Sequence, residues 1–153
     1  LVRGKPKAGQ PTLVRMHRRH LLGDVFGDLD SSRDGPTGDM LRRSMQLIQK
    51  EGRGAIVYLR TQHDAGTPLE AIELDLETRL QSPRRSGARD PDAPNLMDAR
   101  AQNTPATQRD IGIGGQILRD LGLSRLKLIT NSAKVMPGLD AFGIEIIEHV
   151  PMT

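Results

Sequence analysis

Six basic side chains crowd the start of this chain: Arg3, Lys5, Lys7, Arg15, Arg18 and Arg19. Their shared charge suits phosphate or nucleic acid. Nucleic-acid surfaces add aromatic rings on which bases stack, and only 2% of this sequence is aromatic. The cluster therefore reads as a solvated stretch followed by a charged strand edge, and nucleic acid is not an expected partner. Cysteine is absent, which removes disulfides, thiolate chemistry and every zinc site built on sulfur. Gly112, Gly114 and Gly115 have the wrong spacing for a dinucleotide fingerprint and no strand directly before them, so they read as close helix packing. His63 and His149 are isolated in the sequence and read as exposed or core imidazoles.

These groups must be held by an aliphatic frame. A chain of 153 residues suits one domain with one core, and its net charge of +3 is modest. Residues 13–17 (LVRMH) alternate as a half-buried strand does. A glycine- and aspartate-rich loop follows. Residues 39–51 repeat apolar side chains at helical spacing (Met40, Leu41, Met45, Ile48), with Gly52 where a C-cap belongs. Residues 54–59 (GAIVYL) have the apolar, β-branched character of a buried strand. Pro68 opens a further helix that carries Leu69, Ile72, Leu76 and Leu80. Residues 82–106 hold four prolines and many charges without periodicity, and are expected to form a disordered loop.

Order resumes at Arg109, with a helix expected to bury Ile113, Ile117, Leu118 and Leu121 and to close at Gly122. Residues 126–130 and 144–150 read as strands, with a short helical turn between 133 and 142. Strands alternating with helices predict an α/β layered domain with a mostly parallel sheet. Residues 1–11 read as a linker, residues 12–153 as the domain, and the start at Leu1 suggests a fragment of a longer protein. No apolar run could span a bilayer, and the expected location is cytoplasmic.

Three stretches in order resemble the GTP cyclohydrolase II family, whose members open the guanine ring of GTP at the start of riboflavin synthesis. Residues 14–24 (VRMHRRHLLGD) are similar to its RVHSECLTGD, residues 51–60 (EGRGAIVYLR) to its EEGRG strand entry, and residues 109–131 to RDYGIGAQILxDLGVxxxRLLTN. The ending GIEIIEHVPM resembles the family's close. The GIGGQIL wording is most similar to bifunctional proteins that also carry a 3,4-dihydroxy-2-butanone 4-phosphate synthase domain. The resemblance implies a three-layer domain with a mostly parallel mixed sheet and a long polar loop.

The resemblance also implies a zinc held by three cysteines spaced C-x10-C-x-C. Those positions fall here on His20, Ser31 and Arg33. Ser31 is a poor zinc ligand and Arg33 a permanent cation, so zinc is expected to be absent. Asp28, Asp30 and Asp34, with His17 or His20, offer a nitrogen and oxygen alternative, against which the loop reads as an aspartate-rich surface. The family's arginine that attacks the α-phosphate is matched by Arg109, but its proton-accepting aspartate by Thr107, which is no base near neutral pH. The expected tyrosine after Arg60 is missing, and Asp64 replaces a phosphate-facing arginine. Arg15 and His17 match the family's R-x-H and Thr130 its threonine, whereas Val135 takes the place of the nucleotide-contacting lysine beside Lys134. A residual phosphate pocket would use Arg15, Arg109, Thr130 and Lys134; against it, Thr130 and Asn131 read as the cap of a strand and turn.

The resulting expectation is a catalytically inactive, homodimeric GTP cyclohydrolase II-like domain, structural or regulatory toward an attached or partner synthase domain, with no cofactor. The alternative is a metal-free or metal-shifted hydrolase, or a ligand-sensing domain, acting on a phosphorylated nucleotide or pathway intermediate.

Overall fold

The computed structural model describes residues 1–5, 7, 9–29, 31–32, 35–60, 105–131 and 138–152. Strand β1 (Val2–Arg3) is followed by β2 (Thr12–Arg18), helix α1 (Leu21–Phe26), α2 (Thr37–Glu51), β3 (Gly54–Leu59), α3 (Pro105–Asp120), β4 (Arg125–Ile129), a 3-10 turn (Asp140–Phe142) and β5 (Glu145–Val150). The strands form one sheet in the order β1-β3-β2-β4-β5. Every pairing is parallel except the antiparallel contact of β1 with β3.

Alternation along the strands separates two apolar layers. Val14 and Met16 of β2, Ala55, Val57 and Leu59 of β3, and Leu126 and Leu128 of β4 meet Leu118 of α3 on one face. Leu13, Ile56 and Ile129 point to the other face and meet Met40 and Ile48 of α2. The domain is therefore a three-layer α/β sandwich, with helices on both sides of a mostly parallel sheet. The glycine run in α3 makes one of these contacts possible. A Cβ on Gly114 would collide with Met16, and one on Gly115 would approach Phe142 at 2.6 Å, which is the close packing read from the sequence.

Several boundaries and faces differ from expectation. Helix α2 ends as predicted, at Gly52 in the left-handed conformation (φ 76°). Its Met45 is nearly half exposed, however, and Ser44 takes the buried position, donating from its hydroxyl to the Met40 carbonyl at 2.8 Å. In α3, Leu118 is buried and Leu121 half-buried, but Ile113 and Ile117 are exposed; the inward stripe runs through Ile111, Gly114 and Leu118. The error arises because four apolar residues within nine leave the helical phase ambiguous until the sheet selects one. Helix α3 also begins at Pro105, inside the segment expected to be a loop.

Residues 1–11, read as a linker, include β1. The Leu1 amino group donates to the Ile56 carbonyl at 2.9 Å, and Val2 pairs with Ala55. The loop after β2 likewise contains α1. The helix expected after Pro68 and the polar segment 82–104 lie outside the described residues.

Candidate functional site

In a parallel sheet, ligands gather outside the carboxyl ends of strands where the strand order reverses. Here the chain runs from β2 to β3 on one side and then to β4 on the other, so the reversal falls between β2 and β4. Two expected site residues lie there. Arg15 and His17 share the α2-facing side of β2, two residues apart. Arg15 donates from Nη1 to the Ile129 carbonyl at the end of β4, at 2.9 Å, and so bridges the reversal point. Thr130 follows directly, its amide donating to the Val150 carbonyl at 2.9 Å. Asn131 accepts from the Met152 amide at 2.8 Å, a long-range bond that ties the end of β4 to the residues after β5.

His17 is almost fully buried and leads to a residue that motif matching does not single out. Its Nε2 lies 3.0 and 3.1 Å from the two carboxylate oxygens of Asp24, whose side chain is only 3% exposed. Tyr58 Oη donates to Asp24 Oδ2 at 2.7 Å, and the His20 amide donates to the same oxygen at 3.0 Å. The Tyr58 ring stacks on His17, with centroids 5.4 Å apart and planes 17° apart. One carboxylate thus gathers three donors from β2, β3 and the turn between β2 and α1.

Electrostatics fix the states of this group. Burial lowers the pKa of the His17 imidazole, with nearby Arg15 adding to the effect and Asp24 opposing it. Burial alone would raise the Asp24 carboxyl. The His20 amide, the Tyr58 hydroxyl, the Thr37 side chain and the His17 ring instead leave it below its ordinary value. Near neutral pH the pair is a neutral imidazole beside a carboxylate. A carboxylate only accepts, so the imidazole proton belongs on Nε2. That leaves His17 Nδ1 as a buried acceptor with no hydrogen-bond partner among the described residues.

The positions matched to zinc ligands are engaged in local structure. His20 is the N-cap of α1, its Nδ1 accepting from the Gly23 amide at 3.0 Å. Ser31 donates from Oγ to the Asp28 carbonyl at 2.7 Å and accepts from the Thr37 amide at 2.9 Å, joining the loop to the first residue of α2. Gly23 packs so tightly here that a Cβ would run into Ser31 and Thr37. No group of three His, Asp or Glu side chains poised to hold a metal occurs among the described residues. Arg33, Asp30, Asp34, Asp64, His63, Lys134 and Val135, and the Thr107 side chain, lie outside them.

The candidate arginines divide between faces. Arg18 reaches Asp110 in the second turn of α3, with Nη2 to Oδ2 at 3.0 Å. Arg109 is exposed on α3, which packs against the face of the sheet opposite Arg15 and His17.

A strand reversal edged by Arg15 and Thr130, with the R-x-H of β2 beside it, sits in a chain whose residues 1–151 match the family model described as GTP cyclohydrolase II. The chain belongs to the GTP cyclohydrolase II family. The match includes residues 1–11, so the family frame extends through β1. Among its relatives, a riboflavin biosynthesis protein RibBA of Phocaeicola vulgatus is 34% identical over 152 residues, covering 99% of this chain and 34% of the relative. The RibBA of Mycobacterium ulcerans is 37% identical, with 99% and 32% covered. That of Bacillus cereus strain B4264 is 36% identical, with 99% and 34% covered. The chain thus spans about a third of the length of these relatives. No helix among the described residues is long and apolar enough to cross a membrane.

Proposed function

We propose that this is a catalytically inactive GTP cyclohydrolase II-like domain of riboflavin biosynthesis, structural or regulatory toward a 3,4-dihydroxy-2-butanone 4-phosphate synthase domain. The observation that carries this reading is the use made of the zinc positions. No cysteine is present, His20 Nδ1 caps a helix, and the Ser31 hydroxyl has given its only proton to a backbone carbonyl. That donor set does not fit a zinc ion, which needs deprotonated soft or imidazole ligands converging on one point. Thr107 in place of the general base removes a second requirement of the reaction. Losing the metal-activated water and the base together costs many powers of ten in rate.

Relatives about three times the length of this chain support the reading by leaving room for a further domain. A homodimer in the cytoplasm is part of the same reading. The test measures zinc content and GTP ring opening on the purified chain. It then compares the synthase rate of the parent protein with and without residues 12–153. Stoichiometric zinc with ring-opened product overturns inactivity, and an unchanged synthase rate on deletion overturns the regulatory role.

A second reading rests on Arg15, held at the strand reversal by the Ile129 carbonyl, with Thr130 beside it. It makes the domain a sensor, or a diverged hydrolase, for a phosphorylated nucleotide or pathway intermediate, with Lys134 as a further phosphate contact, whereas Arg109 lies on the helix at the opposite face. Thermal-shift titration with GTP and pyrophosphate checks it. A shift that disappears in Arg15→Ala is the expected result, and the absence of any shift rejects it.

A further inference from the structure

The segment between β2 and α2 is the part of the family frame that loses most when cysteine ligands are absent, because a short loop rich in glycine and aspartate has little apolar area to bury. Its described residues nevertheless form α1 and a hydrogen-bonded turn. Helix α1 has only six residues, too few to be stable alone, and three of its side chains or near neighbours, Val25, Phe26 and Leu29, are more than 60% exposed. Of its apolar side chains only Leu21 and Leu22 are half-buried, so hydrophobic burial holds α1 weakly. The contacts that hold it firmly are polar and converge on one residue of its first turn.

We infer that Asp24 is a buried hub that docks α1 onto the ends of β2 and β3, and that this docking needs no metal ion. The Asp24 carboxylate accepts from His17 Nε2 on β2, from Tyr58 Oη on β3 and from the His20 amide at the entry to α1. Three charge-assisted hydrogen bonds on one buried carboxylate are stronger than neutral ones and fix both position and direction. The surrounding bonds complete the unit. His20 Nδ1 caps α1 through the Gly23 amide, and Ser31 Oγ ties the Asp28 carbonyl to the first amide of α2. Two of the three positions matched to zinc ligands thus serve as hydrogen-bonding parts of the same assembly. Asp24 is a positioning residue. Its role concerns how the segment orders and holds whether or not the domain turns over or senses a nucleotide.

Hydrogen exchange on the full chain, read segment by segment, tests the inference independently of any activity. Dialysis against EDTA is expected to leave the protection of α1 unchanged, and selective loss of that protection on chelation overturns metal independence. Asp24→Asn is expected to lower protection of α1 and the first turn of α2 about tenfold, while β4 and the last turns of α3 keep theirs. Unchanged α1 protection in that variant overturns the hub. Should Asp24→Asn fail to fold, Tyr58→Phe decides: it keeps the ring on His17 and removes one donor, and a drop of about threefold confined to α1 is expected. Wild-type protection of α1 in Tyr58→Phe then rejects the hub.

Discussion

The two faces of the sheet are built on opposite principles. The α3 face is an apolar core in which Val14, Met16, Val57, Leu118, Leu126 and Leu128 are buried among one another. The α2 face begins in the same way with Leu13, Ile56 and Ile129, but toward the carboxyl ends of the strands it becomes polar, with Arg15 bonded to the Ile129 carbonyl and His17 and Tyr58 turned to Asp24. Apolar packing is non-directional and tolerates drift in sequence as long as volume is kept. A buried carboxylate with three donors requires particular atoms in particular places. One face of this domain is therefore held by contacts that tolerate apolar exchange, and the other by a few atoms whose placement is specific.

The largest effect that would separate the two faces is expected from Leu118→Ala. Removing a fully buried leucine at the α3 interface should cost about 3 kcal/mol in urea denaturation, across the whole domain. Asp24→Asn should cost less in that measurement, under about 1 kcal/mol, because weakening its three charge-assisted bonds acts mainly on local opening of α1. If the two variants lowered stability equally and lost protection in the same segments, the proposed division of labour would fail.

Acid should act on the polar face alone. His17 is lowered from its ordinary 6.5 in the folded state, so the unfolded chain binds its proton more readily. Its contribution is intact above pH 6.5 and declines as pH falls toward the lower folded value. Asp24, lowered from 3.8, adds a second loss below that pH. Tm should therefore fall as pH is lowered from 7.5 to 5.5, about one unit either side of the ordinary histidine value of 6.5. His17→Gln should flatten that decline. A wild-type Tm that rises on acidification would contradict the neutral imidazole. The smallest effect is expected from Ile117→Lys, within about 0.5 kcal/mol, because the side chain is exposed on α3 rather than packed on the sheet.

Much of the fold was legible from local pattern. The alternation in residues 13–17 and the apolar run in 54–59 marked β2 and β3, and Gly52 marked the end of α2. Phase was less legible: Met45, Ile113 and Ile117 satisfy a helical repeat yet face solvent, because periodicity does not say which of two overlapping stripes a sheet will cover. Helix α1 carries no clear periodic signal in six residues, and β1 pairs only two, so both escaped a reading by windows. The candidate site was legible in part. Arg15 and His17 were found by motif and do lie together on β2, whereas Arg109 lies on the helix packed against the opposite face.

The sequence by itself determined the absence of cysteine, the aliphatic character of the core and the alternation of strands with helices, since these depend on composition and on neighbours within a few residues. Only the tertiary structure decided that Tyr58, 34 residues from Asp24 in the chain, would complete its hydrogen bonding. It also decided that His20 and Ser31 would cap and brace helices, and which isoleucines would be buried. The physical reason is range. Propensity and periodicity act between residues close in sequence, whereas the partner of a buried polar group is set by where the sheet brings distant strands together.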